Sequence, residues 1–343
     1  MTYVNEDKRF LRPHGRAVHP AIRLTPAGPP RRLRRQPDEG AARMRLTART
    51  TLAIILAALS VWSGRPAALV AQPGPAPEPG QQIVLITGST SGLGREVALR
   101  MGARGAHVIV HGRDEQRGMA VVDEINAGPG SARFYAADFA SFDNVRELAQ
   151  SVLRDYDRLD VLVNNAGFGS APNERWESED GHEFRFQVNY LAPFLLTNVL
   201  KELVTASAPS RIVNVSSLAQ SPIDWDDVMI EENFSGGRAY GQSKLAQIGH
   251  TFDLHEELAG SGVLVNALHP ATYMPTGMVQ RLGVTPRATI EEGADAVIQL
   301  IVGDVDGGQF FNQLTPRRAH EQAYDAGSRQ KLRELSRELT RSR

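Results

Sequence analysis

Tyr240 and Lys244 are the pair whose types and spacing in this sequence most readily do chemistry together. Four residues apart on a helix, they project from one face. A free tyrosine hydroxyl titrates near 10 (about neutral-form only at pH 7). An ammonium beside it favours the phenolate, which makes the pair a workable general acid/base. The competing reading is a surface stack of ring on ammonium, although the chain holds only four lysines. Ser216 and Ser217 follow the strand-like run Arg211-Ile212-Val213-Asn214-Val215. A hydroxyl at the carboxyl end of a strand can polarise a carbonyl, because ligands of open α/β sheets sit there. Ser216 alone reads better as a strand-end cap.

A second signal lies upstream. The apolar run Gln82-Ile83-Val84-Leu85-Ile86 leads into TGSTSGLG, residues 87–94, and then into a helix-forming stretch. Gly88, Gly92 and Gly94 between strand and helix suit a dinucleotide pyrophosphate: glycines let the backbone approach the phosphate, and the helix start offers free N–H groups. Thr87, Gly88, Ser89, Ser91, Gly92, Leu93 and Gly94 are the expected cofactor residues of this turn. The next strand ends His111-Gly112-Arg113. An NAD site usually has an acid at that end for the ribose 2′-hydroxyl; here a guanidinium suits a 2′-phosphate, so NADP is favoured over NAD. Asp114 follows one residue late, at a helix start, where its ordinary role is capping.

These side chains need a scaffold that brings strand ends together. From Gln81 on, apolar runs alternate with helical stretches: strands at 107–111, 134–136, 159–163, 211–215, 263–268 and 309–311, helices at about 95–103, 114–126, 144–156, 179–203, 239–258 and 290–302. This order predicts an α/β fold with right-handed crossovers, a parallel sheet and helices on both faces. Leu332, Leu335 and Leu339 fall on one face of a C-terminal amphipathic helix, expected to pack on the domain.

TGSTSGLG, Asn164-Asn165-Ala166-Gly167, Ser217 and Tyr240-x-x-x-Lys244, in that order, resemble the short-chain dehydrogenase/reductase family, in its compact single-domain branch. The resemblance covers residues 81–343. It implies a Rossmann-type doubly wound parallel sheet of about seven strands. It also implies hydride transfer between nicotinamide and a small-molecule carbonyl or alcohol, with Tyr240 as acid/base, Ser217 on the substrate oxygen and Lys244 lowering the tyrosine pKa. Asn189 matches the asparagine whose backbone carbonyl holds a relay water. Asn165, Ala166 and Gly167 inherit a cofactor role, Asp138 an adenine contact, and Pro270 the cofactor loop after the sixth strand; Tyr240 and Lys244 are expected to contact the cofactor as well, Lys244 through the ribose hydroxyls. Two departures stand out. Ala271 replaces the usual glycine after Pro270, and Thr276 falls one position late for a nicotinamide contact. The 22 residues between Ser217 and Tyr240 resemble the retinol-dehydrogenase-like subset and should form a cleft wall. Trp225 and Phe234 within them read better as packing than as substrate contacts. By analogy a homo-oligomer is expected, through the helices after the fourth and fifth strands.

The first eighty residues are a different material. Residues 1–50 carry eleven Arg and one Lys against four acids, a net of +8 in a chain whose total is −1. That leaves −9 for the rest, so no nucleic acid is expected on the folded domain. Residues 1–50 read as a disordered basic tail. Residues 51–71 read as a signal-like or anchoring apolar segment. Its core, 51–62, is a possible membrane contact, and Met44 is expected to be the start. Residues 72–80 read as a Pro/Gly linker. Export would remove the domain from cytosolic NADPH, so segment and cofactor point to opposite compartments. The absence of cysteine excludes a thiolate nucleophile, disulfides and a Cys-bound zinc, and no metal-binding helix motif occurs. The alternative to an enzyme is a catalytically silent NADP(H)-binding sensor or scaffold, a class expected to lack the tyrosine or the lysine.

Overall fold

The computed structural model describes residues 74–341. The basic tail and the apolar segment 51–71 lie outside the described residues, and residues 74–82 carry no helix or strand. The chain then runs β1 (Ile83–Ile86), α1 (Gly92–Ala103), β2 (His107–Gly112), α2 (Glu115–Asn126), β3 (Ser131–Ala136), α3 (Phe142–Asp155) and β4 (Val161–Asn164). It continues through α4 (Phe184–Phe186), a π-helical turn (Gln187–Leu191), α5 (Ala192–Ala206), β5 (Ser210–Val215), α6 (Gly236–Glu257) and β6 (Val263–His269). Last come α7 (Gly277–Leu282), α8 (Ile290–Val302), β7 (Phe310–Asn312), β8 (Thr315–Pro316) and α9 (Ala326–Leu339).

The sheet order is β3-β2-β1-β4-β5-β6-β7-β8, parallel from β3 to β7, with β8 antiparallel at the edge. The expected seven strands are therefore present with one two-residue hairpin strand added. β1 shows why an unbroken apolar run was needed. Ile83 and Leu85 join the core under α3, α5 and α6, while Val84 and Ile86 join the core under α1, α2 and α8. A strand covered on both faces favours apolar side chains at every position.

The chain builds β1–β3 in one direction and crosses back to start β4 on the other side of β1. A crevice opens outside the carboxyl ends at such a switch point. The glycine turn follows β1 and the Asn-Asn-Ala-Gly run follows β4, so both lie at that crevice.

Two helical expectations shift. The helix expected from residue 179 begins at Phe184, because Ser178–His182 closes a turn on Gly181 at φ +81° and Glu183 caps the new start. The short α7 had no apolar periodicity to announce it. α9 packs on α6 through Leu332, with Arg329 bonded to Glu256 and Ser336 to Tyr190. Part of the α6 surface that analogy would give to a subunit partner is thus occupied within the chain. Trp225 packs against the core with Lys331 over its ring, as expected of a residue under a loop. Among the described residues no helix is long and apolar enough to cross a membrane.

Candidate active site

The glycine turn is shaped by contacts that a side chain would abolish. A Cβ on Gly94 would lie 2.4 Å from the Gly88 carbonyl oxygen and from Asn165 Nδ2. A Cβ on Gly88, whose φ is +67°, would lie 2.9 Å from Ala166 Cα. Close approach of α1 to the ends of β1 and β4 thus needs glycine at both places. Asn165 and Thr87 stitch the two strand ends together. Thr87 Oγ1 accepts from the Asn165 and Ala166 amides at 2.9 and 3.0 Å, and Asn165 Nδ2 donates to the Thr87 and Gly88 carbonyls.

The amides of Gly92, Leu93 and Gly94 are first-turn amides without intrahelical acceptors. Ser91 stands exposed at the cap position and its hydroxyl makes no capping bond. These groups fit an anionic pyrophosphate. Ser89 is different from the expectation. It is fully buried, its hydroxyl donates to the Ile86 carbonyl and its N–H to the His111 carbonyl, so it has no donor left for a ligand. His111 was not foreseen as a site residue. Its Nδ1 accepts the Gly88 N–H at 3.1 Å, which places the ring hydrogen on Nε2, and burial pushes its pKa down to about 4. A neutral imidazole therefore fixes the first glycine of the turn.

Arg113 is largely exposed at the end of β2, 3.4 Å from Asp138, which also accepts the Ala140 amide. An exposed pair of that kind is weak, so the guanidinium can change partners. Asp114 caps α2 by accepting the Arg117 amide, the role its position suggested. Pro270 is buried beyond β6. Thr276 lies over the turn, its methyl 3.1 Å from a Cβ placed on Gly92, so the shifted register still brings it to the crevice.

Across the crevice, α6 carries Tyr240 and Lys244 on one face, with Lys244 Nζ 5.9 Å from the tyrosine ring centre. The Lys244 ammonium donates to the Val215 carbonyl at 2.8 Å and to Gln247 Oε1 at 3.4 Å. Burial pushes its pKa down to about 7. Burial raises the Tyr240 pKa, and a side-chain hydrogen bond with Ser217 opposes the rise. The Ser217 oxygen accepts the Ala219 amide at 3.0 Å, which leaves its hydrogen for the Tyr240 side of the cleft. Ser216 donates to the Lys244 carbonyl instead and is structural.

Asn189 sits in the π-helical turn. Its side chain accepts the Phe168 amide and donates to the Phe168 carbonyl and to Ser243. The side chain is fully engaged, so only the backbone carbonyl remains for a water, and π turns commonly mark functional positions. A Cβ on Gly167 would lie 3.3 Å from Asn189 Oδ1 and 3.7 Å from Lys244 Nζ. The Asn-Asn-Ala-Gly run therefore joins the glycine turn at one end to the Tyr240–Lys244 face at the other. Among the described residues no group of three His, Asp or Glu side chains is placed to hold a metal ion.

The lysine makes a testable statement about stability. In the unfolded chain an ammonium titrates near 10.5, in the fold at about 7. Between these values the unfolded state binds more protons, so stability rises with pH from about 7 to 10.5 and the burial penalty is fully present below 7. Lys244→Met should raise the Tm of the free protein near pH 6.5, and the gain should shrink as pH approaches 10. Thermal melts across that range decide it, and a gain independent of pH would contradict the buried-ammonium assignment.

Residues 82–286 match the profile of the family described as short chain dehydrogenase. Retinol dehydrogenase 13 of Mus musculus is 42% identical over 203 residues, which is 58% of this chain and 60% of the relative. The match thus spans less than two thirds of that relative's length. Retinol dehydrogenase 14 of Mus musculus is 36% identical over 283 residues, 74% of this chain and 84% of the relative. Among solved structures, an uncharacterised protein of Mycobacterium paratuberculosis superposes with TM-score 0.64 at 31% identity, over 78% of this chain and 98% of that one. The Pseudomonas aeruginosa RhlG/NADP active-site complex superposes with TM-score 0.55 at 27% identity, over 67% of this chain and 94% of that one.

Proposed function

The chain belongs to the short-chain dehydrogenase family, in its retinol-dehydrogenase-like subset, and from that premise we propose that it is an NADP-dependent oxidoreductase of carbonyl or alcohol substrates. The observation that carries the proposal is the bridge made by Asn165–Gly167. It sets a turn able to cradle a pyrophosphate beside a face holding a phenol, an ammonium and a serine hydroxyl.

The cofactor, when bound, would supply the redox chemistry, giving up a hydride as NADPH in reduction and taking one up as NADP+ in oxidation. Ser91, Gly92, Leu93 and Gly94 would hold its pyrophosphate side, through first-turn amides and the serine hydroxyl, while Thr87 and Gly88, whose donors are taken by Val163 and His111, shape the turn. Arg113 meets the 2′-phosphate, and Asp138, Asn165, Ala166, Gly167 and Pro270 line the remainder. Ser217 turns its hydrogen from Tyr240 to the substrate oxygen and so stabilises negative charge developing there. Tyr240 delivers the proton to that oxygen in reduction and removes it in oxidation. Lys244 uses two donors on Val215 and Gln247, and its charge, 5.9 Å from the Tyr240 ring centre, favours the phenolate. The Asn189 carbonyl holds the water that returns the proton.

The RhlG complex with NADP is similar in fold and supports the choice of phosphate-bearing cofactor. The test is incubation with NADPH or NADH and a panel of hexanal, decanal, benzaldehyde, acetophenone and retinal, with product chromatography. Turnover of no member with either cofactor rejects the oxidoreductase reading. Arg113→Ala should raise the KM for NADPH about 10- to 100-fold, the worth of a charge-assisted contact. The KM for NADH should change less than about threefold. Equal losses for both cofactors would remove the 2′-phosphate from Arg113.

A further inference from the structure

Arg185 is a fully buried arginine on α4. All five of its N–H donors are used. Nε donates to the Gly169 carbonyl at 2.9 Å, one terminal nitrogen to the Glu174 carbonyl and the Glu183 carboxylate at 3.2 Å each, and the other to the carbonyls of Ser170 and Pro172. Four of the five acceptors are backbone carbonyls of one short loop, residues 169–174. A loop of that kind has no ladder to satisfy its carbonyls, and here a single planar fork does so. The guanidinium also lies over two rings, 5.3 Å from the centre of Phe168 and 5.4 Å from that of Phe234.

The two ends of this cluster belong to the cleft. Phe168 follows Gly167 directly, and its backbone is held on both sides by the Asn189 side chain. Its ring packs with Trp176 and Phe184 at 5.4 and 5.1 Å, an aromatic wall of which Trp176 is 39% exposed. Phe234 precedes α6 by two residues. The Gly236 amide donates to Asn173 Oδ1 at 2.7 Å, and a Cβ on Gly236 would strike the Ser170 carbonyl at 2.1 Å. The same loop is therefore fixed to the segment that starts the helix of Tyr240.

We propose that Arg185 is a positioning residue that clamps the aromatic wall Phe168–Trp176 to the start of α6, and so sets where a substrate lies relative to Tyr240. The role rests on the oxidoreductase reading. It predicts an effect on substrate capture that is separate from effects on chemistry and on cofactor binding, because Arg185 reaches neither the Tyr240–Lys244 face nor the glycine turn.

The test is steady-state kinetics of Arg185→Lys in the full chain, with NADPH saturating and the panel member that the wild type reduces with the lowest KM. Lysine keeps the charge beside Glu183 but replaces a five-donor fork by three donors at one point. KM should rise about tenfold, with kcat and the Kd for NADPH within about twofold. Asn173→Ala cuts the tie to Gly236 without touching the buried ion pair, and should raise KM in the same direction by a smaller factor. It carries the test if Arg185→Lys does not fold. An unchanged KM in the folded variants overturns the clamp, as does a parallel fall in kcat and NADPH affinity, which marks a general loss of structure. Absence of turnover in the wild type overturns the functional reading itself and this role with it.

Discussion

Tyr240→Phe should lower kcat by about three orders of magnitude and leave the Kd for NADPH within about threefold. The size follows from what the hydroxyl does: a positioned acid/base contributes roughly 10²–10⁴ in rate. In this site no second group stands ready to replace it. Ser217 is a weak acid whose oxygen already accepts the Ala219 amide, and Lys244 is held back by Val215 and Gln247. The ring itself remains, so the packing of α6 is preserved. Its hydroxyl contributes nothing to the glycine turn, so cofactor affinity should survive. Stopped-flow measurement of hydride transfer, with NADPH binding followed by its fluorescence, separates the two quantities. Retained turnover would strip Tyr240 of its role and assign the proton transfer to another group.

Much of this was legible in the sequence because the relevant signals are local. A strand buried on both faces favours a continuous apolar run, and β1 is one. A helix start that approaches two strand ends must carry glycine where backbones meet, and Gly88 and Gly94 do. The Tyr240–Lys244 spacing needs only a helix. What stayed hidden depends on contacts between distant segments. Arg185 reads in sequence as an ordinary surface arginine, because nothing near it announces four carbonyls eleven to sixteen residues upstream that need donors. His111 looks like a strand residue until the turn folds back to give it the Gly88 amide. Ser89 looks like a phosphate ligand by position, yet its hydroxyl is taken by the strand that precedes it. The place of Thr276 over Gly92 is hidden for a related reason. Register counted along the chain does not track a loop whose path is set by packing over Gly92.

Gly94→Ala carries the other large effect, on cofactor binding. The added methyl would stand 2.4 Å from the Gly88 carbonyl oxygen and 2.4 Å from Asn165 Nδ2. The asparagine amide cannot swing aside freely, because it already donates to Thr87 and Gly88. Nor can the carbonyl retreat, because Gly88 is held through its own amide by His111. The strain must move the start of α1 away from the strand ends. That withdraws the three free amides from the phosphate site. Overpacking of this kind costs about 1–3 kcal/mol, so Tm should fall by roughly 5 °C, and the Kd for NADPH should rise about 100-fold. Gly249→Ala is the control. Its Cβ would meet only Leu332 at an ordinary 3.5 Å, in the middle of α6. Relief of glycine's helix penalty should stabilise the fold by about 0.5–1 kcal/mol with NADPH binding unaltered. If Gly94→Ala bound NADPH as tightly as the Gly249 variant, the turn after β1 would not be the phosphate cradle. The cofactor would then have to be sought elsewhere along the sheet.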